Sequence, residues 1–116
     1  MTSERYYLAA PRVPEFVHFF DGQPSESKPD DGYWCYKIVD RRGVTLRFSY
    51  DIFERSVQTQ IYIGNDLVET VSREAAREIR IEDDKLVVTF EDAGMKTSLS
   101  VQVRPTIVVV WSGVRE

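Results

Sequence analysis

Few side chains of this chain could do covalent or acid–base chemistry. It has one cysteine, Cys35, and one histidine, His18. A thiolate nucleophile needs a base beside it, so a Cys35–His18 pair meeting across strands is the nucleophilic arrangement to consider. Both residues stand in aromatic runs, Tyr33-Trp-Cys-Tyr and Phe16-Val-His-Phe-Phe. Those surroundings read as core, with a buried unreactive thiol and a satisfied structural histidine. Zinc would need more soft ligands than these two. The acidic pairs and triplets Asp30-Asp31 and Glu82-Asp83-Asp84 lack the regular ligand spacing of a calcium loop, and no glycine-rich phosphate cradle is present. Carboxylates fall in turns or on the polar side of strands, where they cannot work as an inward-facing acid–base pair. The expectation is a chain with no catalytic residue, no metal site and no cofactor.

Composition bounds the remaining possibilities. A chain of 116 residues with 42% hydrophobic and 29% charged content has the size and make-up of one folded domain, residues 1–116. Its net charge of −4 argues against non-specific attraction to nucleic acid or anionic membrane, and the local cluster Arg41, Arg42, Arg47 and Arg55 does not reverse that balance. The first ten residues carry acid and base where a signal peptide needs an apolar core. No later apolar run approaches the length of about 18 residues that a membrane helix requires. A cytoplasmic protein is expected.

The element that must position any site is Gly43 to Ile63, read as a β-hairpin. Val44, Leu46, Phe48 and Tyr50 share one face of the first strand, and Val57, Thr59, Ile61 and Ile63 share one face of the second. The elbow Asp51-Ile-Phe-Glu-Arg55 joins them, and a bulge or corner there would hide Ile52 and Phe53 from water. Upstream, residues 5–10 could form a short strand limited by Pro11 and Pro14. Glu15–Phe20 reads as a strand or one irregular turn, and residues 21–32 as a long polar loop. Tyr33–Val39 reads as a strand with Trp34, Tyr36 and Ile38 inward.

Downstream, Gly64-Asn-Asp66 is a turn signal before a strand from Leu67. Ser72–Glu78 is the helix-favouring patch, with Ser72 as cap and Glu74 in the first turn. Alternation returns at Ile79–Glu82, Leu86–Phe90 and Lys96–Val103. Thr106–Trp111 reads as a final strand buried on both faces or covered by the N-terminal segment. Roughly seven to nine short strands with short polar connections predict a mainly β fold, an antiparallel β-sandwich or small open barrel, meander-like, with one short helix near residues 72–78.

Across residues 33–113, the segment Phe48-Ser-Tyr-Asp-Ile-Phe-Glu-Arg-Ser-Val, followed by Ile61-Tyr-Ile-Gly-Asn and ending in Val110-Trp-Ser-Gly, resembles the small bacterial immunity proteins of polymorphic and contact-dependent toxin systems. That resemblance implies a cytoplasmic protein partner, often a basic toxin domain, blocked by a complementary acidic surface. On this reading the chain is a non-enzymatic binding module. Its candidate partner contacts are Asp30, Asp31, Asp51, Glu54, Asp66, Glu82, Asp83 and Asp84. The alternative is a small-ligand-binding β-barrel, with or without catalytic activity, whose cavity would be lined by Trp34, Tyr36, Phe48, Tyr50 and Trp111. A third possibility is a homo-oligomer built by pairing of edge strands.

Overall fold

The computed structural model, which describes residues 7–113, has nine strands, most of them alternating apolar and polar residues: β1 Glu26–Lys28, β2 Tyr33–Val39, β3 Val44–Asp51, β4 Ser56–Ile63, β5 Asp66–Arg73, β6 Ala76–Glu82, β7 Lys85–Asp92, β8 Met95–Gln102 and β9 Val108–Gly113. They form two antiparallel sheets with neighbours in chain order, β1-β2-β3-β4-β5 and β6-β7-β8-β9. The sheets do not close into a barrel. Buried residues from both pack into one core, among them Leu46, Phe48 and Val57 from the first sheet and Leu86, Val88 and Leu99 from the second. The Trp111 indole N–H reaches across to donate to the Thr59 hydroxyl at 2.9 Å.

The expected central hairpin forms, with Tyr50 opposite Val57, Phe48 opposite Thr59 and Leu46 opposite Ile61. Its dry face is the core face, as the alternation of side chains along a strand requires, except at Ile63, which is exposed at the end of β4. The Asp51 Oδ1 accepts from the backbone N–H groups of Phe53 at 3.0 Å and Glu54 at 2.9 Å, so the elbow is a turn built on its own aspartate. Ile52 packs against the core as expected. Phe53 does not, and is 44% exposed.

The helix lies elsewhere than expected. Residues 72–78 are extended: Ser72 pairs with Gln58 on β4, Ala76 with Phe90 on β7, and Ala75 between them takes a left-handed φ of 67°. A patch of about two turns has too little helical stability of its own to resist pairing on both sides. The helix instead spans Val13–Phe20, here α1. Pro14 suits a first turn, the Glu15 carboxylate accepts from the Arg12 N–H at 2.9 Å, and Phe16, Phe19 and Phe20 recur at helical spacing on the buried side. Residues 21–32, expected as a loop, contain β1 and a 3-10 turn at Pro29–Asp31. Of residues 5–10, expected as a strand, 5 and 6 lie outside the described residues. Ala9 makes one parallel bridge to Glu78, with its N–H on the Arg77 carbonyl at 3.1 Å.

That bridge covers the outer edge of β6. The last strand is therefore not covered by the N-terminal segment: β9 is the other edge of its sheet, and Val108 and Val110 are 45% and 48% exposed. Within the continuous apolar run Val109 and Trp111 face the core while Val108 and Val110 do not.

The interior also rules out the barrel cavity. Rings of α1 pack against Tyr36, Phe48 and Tyr50, while Trp34 stacks on Tyr50 and Trp111 packs on Phe90. Phe16 stacks on Tyr36 at 5.2 Å and Tyr50 at 4.9 Å, and Phe20 stacks on Tyr36 at 5.2 Å and Phe48 at 5.7 Å between centroids. These aromatics are a filled core.

Candidate protein interface

The connections divide between two ends of the sandwich. At one end, the Ile52 N–H bonds to the Gly32 carbonyl at 2.9 Å, the Leu8 N–H to the Ile52 carbonyl at 3.0 Å, and the Ala76 N–H to the Arg55 carbonyl at 2.9 Å. The elbow thus gathers the 29–32 turn, the N-terminal segment and the β5–β6 link. Asp30, Asp31, Asp51 and Glu54 all belong to this elbow end. Gly32 sits beneath it with φ 70°, and a β-carbon there would stand 3.1 Å from two atoms of the Phe53 ring. The glycine lets Phe53 lie flat over the turn. Tyr7 meets Phe53 edge-on at 5.3 Å, itself 51% exposed.

The other predicted contacts do not join them. Asp66 opposes Ile63 at the far end of β4. Asp83 and Asp84 form the β6–β7 turn, a full strand away from Ala76. Glu82 is occupied by the Arg80 guanidinium at 2.9 Å, and Arg80 also meets Glu78 at 3.4 Å. The eight candidates therefore make two separate acidic regions.

The far end has a structural knot. The Asp40 side chain is 1% exposed, and its oxygens accept from the backbone N–H groups of Arg42, Val44 and Ile107 and from the Arg42 guanidinium at 2.8 Å. Arg42 also donates to the Ile107 carbonyl at 2.9 Å. Burial opposes the charge, yet these donors hold the Asp40 carboxyl well below the usual carboxylate range. Arg104 in the same β8–β9 connection donates to the Phe19 carbonyl near the end of α1 at 2.6 Å, the favourable place for a cation on a helix. Asp40 and Arg104 thus fasten the first sheet and the helix to the second sheet.

The wet face of the five-stranded sheet has two depressions. At the elbow end, Tyr33, Ser49, Asp51, Ser56, Gln58, Ser72 and Glu74 line a cleft of about 570 Å³. Tyr50, Val57 and Arg73 complete the lining, so hydroxyls, an amide and two carboxylates share it with apolar surface and one guanidinium-bearing residue. Both turn hydrogen bonds to Asp51 fall on Oδ1, which leaves Oδ2 unused by the elbow. Gln58 donates to the Ser72 hydroxyl at 2.8 Å. Burial raises the Tyr33 hydroxyl above its ordinary value, with the Cys35 thiol and Glu26 carboxylate adding to the rise, so it stays a neutral donor and acceptor. The second depression, about 360 Å³, includes Lys37, Thr45, Arg47 and Tyr62 and is cationic. Arg47 donates to Gln60 at 2.9 Å and meets Glu26 at 3.3 Å.

Cys35 and His18 are not a pair. Tyr36 faces α1, so its neighbour Cys35 points to the opposite face of β2, buried with the Ser25 hydroxyl 3.6 Å from its sulfur. His18 is exposed on α1. Among the described residues no group of three or more metal-ligating side chains occurs, and no helix is long and apolar enough to cross a membrane.

No protein-family model matches this sequence, and no curated protein matches it. Its fold has a known counterpart. A chain of the contact-dependent growth inhibition toxin–immunity protein complex from Klebsiella pneumoniae 342 superposes with a TM-score of 0.84 at 18% identity, covering 94% of this chain and 99% of that one. The likeness extends from end to end of both chains, and at that identity it shows the shared fold.

The residues that sequence reading missed are the ones between the acids. Phe53 was expected inside, and Glu74 was assigned to a helix. Ser49, Ser56 and Gln58 alternate with the dry-face residues of their strands, whereas Ser72 was assigned as a helix cap, and only the pairing of β3, β4 and β5 makes the four neighbours.

Proposed function

We propose that this chain is a single β domain that binds and neutralises a toxin domain of a contact-dependent growth inhibition system, acting in the bacterial cytoplasm without catalysis. The observation that carries the reading is the full-length structural match to a chain of a toxin–immunity complex. The inhibitor side of such a pair is favoured by the elbow end, which has the make-up of a protein interface. Exposed Phe53 and Tyr7 supply aromatic anchors, and Asp30, Asp31 and Glu54 supply an acidic rim. A basic toxin surface would be steered by the rim and held by the rings. Asp66, Glu82, Asp83 and Asp84 lie outside this interface and contribute only to the long-range field.

Co-expression tests the proposal. The cognate toxin domain arrests growth of a susceptible host, and this chain is expected to restore it and to co-purify with the toxin as a defined complex. Growth arrest caused by this chain itself would place it on the toxin side. No rescue and no complex, with the chain folded, would overturn the reading.

A further inference from the structure

We infer that the cleft on the wet face at the elbow end is a receptor for a cationic side chain, an arginine or lysine presented by the protein partner. This deepens the toxin-binding reading and rests on it for the source of the cation. The cleft itself can be tested without the toxin.

Three observations point to a cation. Two carboxylates, Asp51 and Glu74, line the cleft with Ser49, Ser56 and Gln58, and the one cation in the lining is Arg73. A carboxylate accepts up to about four hydrogen bonds, and a guanidinium offers five donors and no acceptor, so the two chemistries match. Among the described residues no cation forms an ion pair with Asp51 or Glu74. Arg73 borders the cleft, but its guanidinium lies 5.0 Å from the Trp111 ring and 5.6 Å from the Phe90 ring and donates to the Ser112 carbonyl at 3.3 Å. Lys28, opposite Tyr33 on β1, and Arg55, next to Ser56, form no ion pair with either carboxylate.

The third observation is shape. A volume of about 570 Å³ exceeds what one side chain needs. Tyr33, opposite Asp51 in the β2–β3 register, also lines the cleft, so a guanidinium held there would have an aromatic residue in the same lining. The Arg73 arrangement over Trp111 and Phe90 shows the same chemistry satisfied within the chain. The neighbouring depression with Lys37 and Arg47 repels a second cation, which fixes the direction in which a basic segment would lie across the sheet.

Two variants isolate the charge. Asp51→Asn keeps an oxygen for the Phe53 and Glu54 amides, and Glu74→Gln keeps shape and exposure. The first experiment is an amide NMR titration of the whole chain with arginine methylamide, using the uncharged isostere citrulline methylamide as control. Saturable shifts are expected at Ser49, Asp51, Ser56, Gln58, Ser72 and Glu74 with the guanidinium probe alone, and their loss is expected in the double variant. No saturable shift, equal shifts with citrulline, or shifts centred elsewhere would overturn the assignment.

The second experiment uses the toxin complex. The double variant is expected to lose about tenfold in affinity, and Asp83→Asn with Asp84→Asn to lose none. An unchanged affinity for the double variant would remove the partner as source of the cation. Failure to form any complex would count against the toxin reading, while the titration still decides the cleft.

Discussion

At the scale of single residues, each end of the sandwich depends on one aspartate used in a different way. Asp40 is buried under its donors, so replacing it removes a charge that several groups were placed to stabilise. Asp40→Asn is expected to lower the melting temperature at neutral pH, because its amide nitrogen must face a donor. The sign of the pH dependence follows from the lowered pKa. The stabilising charge is fully present above the unfolded-state value of about 3.9 and fades as pH falls toward the folded value. Thermal melts should therefore show a constant gap between wild type and variant above about pH 5, narrowing below about pH 4. A gap that widens in acid would contradict this role. Gly32 is the other decisive position. Gly32→Ala combines a left-handed φ with a tight approach to Phe53, and a loss of about 1–2 kcal/mol is expected in denaturant unfolding. Neither role was legible in the sequence. Asp40 read as one member of an Asp-Arg-Arg-Gly turn, and its partner Ile107 lies in a connection that only the packing of the two sheets brings near.

At the scale of elements, α1 is what makes the interior solid. Its phenylalanines pack against Tyr36, Phe48 and Tyr50, three of the ring positions that a ligand cavity would need. Phe16→Ala is expected to cost about 3–5 kcal/mol, since the ring is fully buried and stacked on both Tyr36 and Tyr50. A loss below about 1 kcal/mol would mean that the helix is not part of the core. The elbow behaves in the opposite way. Phe53→Ala should change stability by less than about 1 kcal/mol, given how much of the ring is exposed. It should weaken toxin binding by about tenfold or more, measured by calorimetry. The strands were readable because a half-buried strand writes its burial into period-2 alternation, and the hairpin followed from it. The helix was misplaced for a physical reason. Ser72-Arg-Glu-Ala-Ala has local helical preference, but β4 and β7 offer those residues pairing partners, whereas Phe16, Phe19 and Phe20 gain burial only when wound into a helix.

At the scale of the whole molecule, acidity is distributed over two ends, and only one of them combines it with exposed aromatics and a cleft that two carboxylates line. Sequence reading named the acids of both ends because spacing along a chain does not reveal which turns of a meander fall together. The fold class and the resemblance to immunity proteins were legible in the strands and turns, while the division of the surface required the topology. Reversing the charges of Asp30, Asp31 and Glu54 to lysine should slow toxin association by about an order of magnitude at low salt. The same change at Asp66, Asp83 and Asp84 should act more weakly and vanish at high salt, as a distant field effect does. The most direct measurement is hydrogen–deuterium exchange of the chain alone and in complex with its toxin domain. We expect new protection confined to residues 29–34, 49–58 and 72–75, with the turns at 64–66 and 82–85 unchanged. Protection centred on those far turns, leaving the elbow end as exposed as in the free chain, would contradict the assignment of the interface.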